Sequence, residues 1–249
     1  MIKEANKINL SFPELSILSK VHKNAEDWVE KAQIAIKTRI SLCELDALVR
    51  SGVNMPIDFA DVLAKLQSRY EQACEWISTL RDIIPCPSEH VSRSALELDP
   101  LIRDEWFERM MDALMASEDE VRVSNILELS SQGLRLTVEV DLLGLLQVAI
   151  DARNWSMKSK RWIPTLSGDH WKRGKFEDIE EHLKQADIIR DKRKAMTGRK
   201  SWWNLYYEQE LEGILNAAEQ WLNTVSRYAF NKAYFVFYLS VLHAAGNYF

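Results

Sequence analysis

The stretch that decides the fold is SLCELDALVRSGVNMPIDFADVLAKLQSRYEQACEWISTLRDII, residues 41–84. It begins with Ser41 and, three residues later, Glu44, which is the pattern of a capping box at a helix start. We predict that this short helix ends at Gly52 and that Pro56 begins the next helix. The stretch is therefore expected to form a short helix, a turn and a long helix.

The long helix of this stretch has apolar residues at the three-or-four spacing of one helix face. Their positions are 59, 62, 63, 66, 70, 73, 77 and 80. At about 100° per residue, Trp76 lies roughly 80° around the helix from Leu66, beside the leucine stripe. A helix of this kind buries two adjacent faces, so we expect it to have neighbours on both sides.

The same pattern returns along the chain as a weak internal repeat. An alanine stands three residues before Trp28, Trp76, Trp155 and Trp221, and a leucine stands ten residues before each of them. The tryptophans are 48, 79 and 66 residues apart, which is too irregular for a tidy solenoid. We interpret their indoles as core groups that pack between helices, and not as an aromatic box for a ligand.

Composition also favours helices over a β fold with many turns. The 249 residues include only 8 glycines and 6 prolines, and no alternating pattern of useful length predicts a strand. We predict an all-α fold, an irregular array of antiparallel helical hairpins, over residues 1–228. Residues 229–249 are predicted to be an apolar, aromatic tail. The tail is open to interpretation as an aggregation-prone surface, as a docking surface, or as the end of a truncated or alternatively spliced product, and we favour the last.

Three cysteines, Cys43, Cys74 and Cys86, form no close pair and no metal-ligand spacing, which is typical of a reducing compartment. The charged segment Met1–Leu10 has no apolar run of a secretory signal. The longest uncharged stretch, 233–249, has 17 residues, fewer than the roughly 20 that span a bilayer. We therefore expect no membrane segment.

No motif in the chain predicts catalysis. None of the five histidines begins a His-x-Asp or His-x-Glu pair, as an iron oxygenase would need, or belongs to a His-Glu-x-x-His zinc motif. Glycine-rich phosphate loops and nucleophile elbows are also missing from the sequence. We expect no catalytic, cofactor-binding or metal-binding residue and no small-molecule substrate.

Charge is distributed unevenly. Residues 95–128 carry ten acidic and three basic residues, whereas residues 153–200 carry fourteen basic and seven acidic residues. Basic residues mixed with tryptophans suit phosphate contact and base stacking, although a solvated helix face or a localisation signal gives the same pattern. The candidate contacts to nucleic acid or a partner are Lys158, Lys160, Arg161, Lys172, Arg173, Arg190, Lys192, Arg193, Lys194, Arg199 and Lys200.

Residues 41–84 resemble one repeat of the PLU-like helical region of jumonji-type demethylases that act on lysine four of histone H3. The resembling elements are the leucine-rich short helix, its glycine, the turn with Pro56 and the leucine-stripe helix with Ala-x-x-Trp. Residues 127–155 resemble a second copy, and 9–28 and 205–221 resemble partial ones.

The resemblance implies a nuclear chromatin protein. Complete family members use Fe(II) and 2-oxoglutarate in a separate jumonji domain, whose iron ligands match no residue here. The implied role of this chain is a non-catalytic scaffold or interaction region in transcription regulation. It would contact chromatin proteins or the remainder of a larger demethylase, with weak nucleic-acid contact and no membrane. The alternative is a spectrin-like or other generic helical scaffold unrelated to chromatin.

Overall fold

The computed structural model describes residues 13–85, 100–115, 120–163, 166, 175–198 and 204–246. Residues 13–15, 100–101 and 229–246 are described by their backbone alone. Eight helices and two very short strands account for most of these residues, so the predicted all-α fold is confirmed. The arrangement of the helices as a repetitive array of hairpins stays a prediction.

The first helix and a short strand are followed by six helices, with a second short strand before the fifth of them, and by a final long helix. Their bounds are α1 Pro13–Lys37, β1 Ile40–Ser41, α2 Leu42–Val53, α3 Ala60–Ile83, α4 Pro100–Met115, α5 Glu120–Leu134, β2 Val138–Glu139, α6 Asp141–Lys160, α7 Phe176–Thr197 and α8 Glu208–Gly246.

The chain forms two compact units. The first comprises Met1–Ile150 and Ala195–Arg199, and the second comprises Asp151–Lys194 and Lys200–Phe249. We predicted one helical array over residues 1–228 and a separate tail from residue 229. The division into two units does not test that boundary. The backbone of α8 continues as helix across positions 228 and 229.

In the first unit, α3 is the central helix, because it packs against α1, α2 and α5. Its buried residues include Leu66, Ala73, Trp76 and Leu80. Trp76 therefore extends the buried surface beyond the leucine stripe, as its angular position predicts. The two-sided burial that the sequence indicates is confirmed for this helix.

A small polar corner ties three segments of the first unit together. Strands β1 and β2 pair in parallel, with Ile40 opposite Val138. From α3, the Arg69 guanidinium donates hydrogen bonds to the carbonyl oxygens of Ala35 and Thr38 and to both the hydroxyl and the carbonyl oxygen of Thr137. Arg69 thereby satisfies carbonyl groups at the end of α1, where a helix leaves its last four without partners.

One predicted helix boundary holds to within one residue and one is corrected. The capping box of Ser41 and Glu44 is present, and α2 ends at Val53, one residue after Gly52. Helix α3 begins at Ala60 and not at Pro56. Just before it, the Asp58 carboxylate accepts a hydrogen bond of 2.9 Å from the Ala60 amide.

In the second unit, the start of α8 is fixed by a buried carboxylate. Glu208 is only 3% exposed, and its carboxylate accepts hydrogen bonds from the Arg190 guanidinium and from the Leu205 amide, the latter at 2.9 Å. Leu211, one turn further on, is fully buried. From residue 219 to residue 228, in contrast, every residue of α8 is exposed.

Candidate functional site

Three of the predicted basic contacts lie together at the carboxyl end of α6. Lys158 and Arg161 are exposed and Lys160 is half-buried. The Lys158 ammonium lies 5.6 Å from the centroid of the Trp162 ring, within the range of a cation–π interaction. Because the end of a helix carries partial negative charge, cations there also stabilise the helix itself.

The predicted basic contacts of α7 are mostly occupied within the second unit. Arg190 forms ion pairs with Glu208 and Asp187, and the Lys192 ammonium lies 2.9 Å from the Asp151 carboxylate. Arg193 is 5% exposed, whereas Lys194 is exposed. Arg190 is half-buried and paired with two carboxylates, and Arg193 is buried, so we interpret both as structural residues of this unit.

The remaining predicted contacts lie outside the described residues. These are Lys172, Arg173, Arg199 and Lys200. Among the predicted contacts that the structure describes, Lys158, Arg161 and Lys194 are exposed, Lys160 is half-buried, and Lys192 is exposed but paired with Asp151. We call Lys158, Arg161 and Lys194 the basic set.

A buried aromatic cluster in the second unit was missed by the sequence reasoning. The His182 imidazole stacks on the Trp155 indole with ring centroids 4.5 Å apart, and the edge of Trp162 lies 4.9 Å away. The His182 Nε2 atom lies 2.9 Å from Ser159 Oγ and 3.2 Å from the Trp155 carbonyl oxygen. Since a carbonyl can only accept, Nε2 carries the proton that is donated.

The environment of His182 keeps its imidazole neutral. Burial and, to a smaller extent, the positive charge of Lys158 lower the pKa of His182 from 6.5 to about 4. The side chain is 1% exposed. A neutral imidazole in this position is a packing and hydrogen-bonding group. The sequence indicates this role only by placing His182 among the apolar positions of a helix.

Two tryptophans of the first unit dock on neighbouring helices in the same way. The Trp28 Nε1–H donates to the Leu48 carbonyl oxygen at 3.0 Å, and the Trp76 Nε1–H donates to the Leu129 carbonyl oxygen at 2.8 Å. Four residues after each of these carbonyls stands a glycine, Gly52 or Gly133, whose missing side chain leaves room for the indole.

The indole rings and neighbouring leucine side chains fill the space beside these glycines. A Cβ atom at Gly133 would lie 2.8 Å from the Trp76 ring and 2.7 Å from the Leu143 side chain. Both glycines stand one residue before the end of their helices, so the predicted end at Gly52 is accurate to one residue, and both also allow close helix approach. The Leu-x-x-x-Gly spacing common to both helices was the signal for this role.

Trp155 in the second unit follows the same rule. Its Nε1–H donates to the His182 carbonyl oxygen at 2.7 Å, and the residue four positions later, Ala186, is fully buried. Trp28, Trp76 and Trp155 are each 4% or 5% exposed, so the predicted packing of the indoles is confirmed for these three. We call the donor indole, the acceptor carbonyl and the small residue four positions later an indole dock.

The fourth predicted copy is different. Trp221 is 64% exposed, and the prediction that its indole is a core group is wrong for the described residues. Leu18 of the first copy, predicted to lie in a buried leucine stripe, is 55% exposed. The equivalent residues Leu66, Trp76 and Leu145 are buried in the other copies.

A groove of about 550 Å³ runs along α1 in the first unit. It is lined by His22, Ala25, Glu26, Val29, Glu30, Gln33, Ile57 and Phe59. The His22 Nδ1 atom pairs with the Glu26 carboxylate at 3.2 Å on its rim. Apolar and charged or polar side chains both line the groove. The Trp28 indole is not among them, because it packs against Gly52 and Phe59.

The described residues do not fit a bound metal ion such as Fe(II). No three of their histidine, cysteine, aspartate or glutamate side chains are grouped as ligands. His22 pairs with Glu26, and His182 is stacked between aromatic rings. Among the residues that the structure describes, no helix has the length and apolar character to cross a bilayer.

Comparison with known proteins gives one family. The sequence profile of the family described as "PLU-1-like protein" matches residues 1–233. No curated protein and no solved structure match the chain.

Proposed function

The chain belongs to the PLU-1-like family, and on that basis we propose that it is a non-catalytic helical scaffold of a chromatin-associated, histone-demethylase-related protein. Its role is to hold or space other modules in the nucleus during transcription regulation. The family profile covers residues 1–233 and so nearly all of the helical part. Neither a substrate nor the Fe(II) and 2-oxoglutarate of complete demethylases belongs to this role.

The observation that supports a scaffold role is the use made of the large aromatic side chains. Three indoles lie in docks between helices, each with its N–H bonded to a backbone carbonyl. A buried tryptophan makes a large apolar contact in addition to its hydrogen bond. Helices joined in this way keep a fixed spacing, which is what a structural spacer between modules requires.

We further propose that the basic set contacts nucleic acid. Lys158 lies in the last turn of α6 and Arg161 directly follows the helix, where its amide donates a hydrogen bond of 3.2 Å to the Lys158 carbonyl oxygen. Both are exposed, as is Lys194. Exposed cations of this kind bind phosphates and release counterions, so their contribution depends steeply on salt.

Changing Lys158, Arg161 and Lys194 to glutamine together is expected to weaken binding of the full chain to a DNA duplex by about tenfold or more at low salt. The slope of log K against log salt should become shallower by about 2 to 3, close to one unit for each lost phosphate contact. Fluorescence anisotropy with a labelled duplex over a series of salt concentrations measures both. Arg190 and Arg193 are kept, because they are structural.

The matched control changes Lys20, Lys23 and Lys31 of α1 to glutamine. These three are also exposed, and the change in net charge is the same. The control is expected to retain the wild-type salt slope. If wild-type protein does not bind DNA at low salt, or if both triple variants lose affinity equally, the nucleic-acid role of the basic set is wrong and only the spacer role remains.

A further inference from the structure

The groove along α1 has an apolar floor. Ala25 is buried and Val29 and Phe59 are half-buried, and all three line the groove. Ile57, from the turn between α2 and α3, also lines it and is 37% exposed. A volume of about 550 Å³ is enough to take large side chains of another molecule. We call this surface the α1 groove.

The rim of the α1 groove is acidic. Glu26 and Glu30 both line it, are exposed and lie one helical turn apart. The Glu26 carboxylate has His22 Nδ1 at 3.2 Å, whereas Glu30 forms no ion pair with any residue that the structure describes. No described lysine or arginine lines the groove. The negative charge therefore lies in the groove itself, directly beside its apolar floor.

This combination indicates the chemistry of an occupant. A nucleic acid or an anionic membrane would bring more negative charge to Glu26 and Glu30, and like charges across an interface oppose association. A second copy of the chain, with its net charge of −5, is disfavoured for the same reason. A lysine or arginine next to a large apolar side chain complements both the rim and the floor.

The length of the groove indicates the form of the occupant. Its lining residues on α1 run from His22 to Gln33, which is about 16 Å or three turns of helix. They lie on one face of a straight helix, and the rim side chains are exposed to solvent. A second helix laid along α1 fits such an open groove better than a small molecule, which would stay largely uncovered.

We propose that the α1 groove binds a cationic amphipathic helix of a partner protein. Large apolar side chains of the partner pack on Ala25, Val29 and Phe59, while its lysine or arginine side chains pair with Glu26 and Glu30. This inference rests on the proposed scaffold role and gives that scaffold a point of attachment in the first unit. The basic set, in contrast, belongs to the second unit.

The probe for this site is a fluorescein-labelled helical peptide of about 12 leucine and lysine residues, with the leucines on one face. Fluorescence anisotropy with the full chain at low salt is expected to show saturable binding. Changing Glu26 and Glu30 to glutamine together is expected to weaken binding by about fivefold or more, and the difference should fade at high salt because exposed charges are screened. A peptide with glutamate in place of lysine is expected not to bind.

The matched control for the charges changes Glu177 and Glu181 of α7 to glutamine. These two are exposed, have the same spacing as Glu26 and Glu30, and lie outside the groove, so the change in net charge is the same. The control is expected to keep the wild-type affinity. Equal losses in the two double variants would show that the peptide responds only to overall charge, which contradicts the proposal.

The apolar contact is tested separately with Ile57→Ala. It is expected to weaken peptide binding by about threefold or more, because it shortens an apolar side chain that lines the groove. Ile34→Ala is the control, because this side chain is 53% exposed on α1 but does not line the groove. It is expected to leave the affinity unchanged, and equal losses in the two variants would contradict an apolar contact in the groove.

The position of the bound peptide is reported by Trp28. Its indole stacks on Phe59 with ring centroids 5.2 Å apart, directly behind the floor of the groove. In a chain with ¹⁵N-labelled tryptophan, the peptide is expected to shift the NMR signal of the Trp28 Nε1–H. The signal of Trp155, which belongs to the second unit, is expected to stay in place.

Three results overturn the proposal. The first is absence of saturable peptide binding, and the second is binding that leaves the Trp28 signal unshifted. The third is a wild-type dimer in sedimentation velocity that becomes a monomer with Ile57→Ala, since a second copy then occupies the groove. Failure here is distinguishable from failure of the proposed function, because the basic set and the buried indoles are intact in every one of these variants and are tested separately.

Discussion

Replacing Trp76 by alanine is expected to lower the free energy of unfolding of the first unit by about 4 kcal/mol. The indole is 5% exposed and fills the gap over Gly133, so its removal leaves a cavity between α3 and α5. The change also removes the hydrogen bond of 2.8 Å to the Leu129 carbonyl. Urea unfolding followed by circular dichroism measures the effect.

The matched control is Trp221→Ala, because Trp221 has the same local sequence but is 64% exposed. Its effect on the free energy of unfolding is expected to stay within about 0.5 kcal/mol, as is usual for surface substitutions. Equal losses in the two variants would mean that the four tryptophans are equivalent and that Trp221 is buried in the folded protein.

Lowering the pH from 7 to 4 is expected to reduce the stability of the second unit by about 3 kcal/mol through His182 alone. The pKa of His182 is about 4 in the folded protein, because the imidazole is desolvated and lies near Lys158, and is 6.5 without these effects. Between these two values the unfolded chain binds a proton that the folded chain does not. The stabilisation is therefore complete above pH 6.5 and is lost as the pH falls to about 4.

The variant that isolates this contribution is His182→Phe, which keeps an aromatic ring against Trp155 but cannot titrate. Carboxylates also titrate in this range, so the quantity to measure is the difference in pH dependence between wild type and variant. Between pH 7 and pH 4 the free energy of unfolding of the wild type is expected to fall by about 3 kcal/mol more than that of the variant. His22→Gln, which removes an exposed imidazole, serves as the control and should follow wild type. Parallel curves for wild type and His182→Phe would contradict a buried, neutral His182.

The helices and the buried positions of α3 could be predicted from the sequence, because apolar spacing reports which helix face is covered. Trp28, Trp76 and Trp155 were placed correctly for the same reason. The sequence could not predict which helix packs over each tryptophan, because a periodic apolar pattern carries no information on the neighbouring helix. Trp221 shows this, since its local sequence matches the other three although its neighbour is absent from the described residues.

The roles of single glycines and cations were harder to predict. Gly52 was expected near a helix end because glycine is common there, and α2 does end one residue later, but only the position of the Trp28 ring shows that Gly52 also serves close packing. Arg190 belonged to a basic cluster in the sequence, but Glu208, eighteen positions away, neutralises it in the structure. Contacts between distant residues decide such cases, and one sequence does not reveal them.

The packing of the indoles can be tested most directly by hydrogen exchange of their N–H groups in the native chain. With ¹⁵N-labelled tryptophan and single Trp→Phe variants for assignment, each indole gives its own NMR signal. The Nε1–H groups of Trp28, Trp76 and Trp155 are expected to persist long after transfer to D₂O, because they are buried and bonded to carbonyls, whereas that of Trp221 is expected to exchange at once. Exchange of the Trp76 or Trp155 signal as fast as that of Trp221 would contradict a scaffold held together by docked indoles.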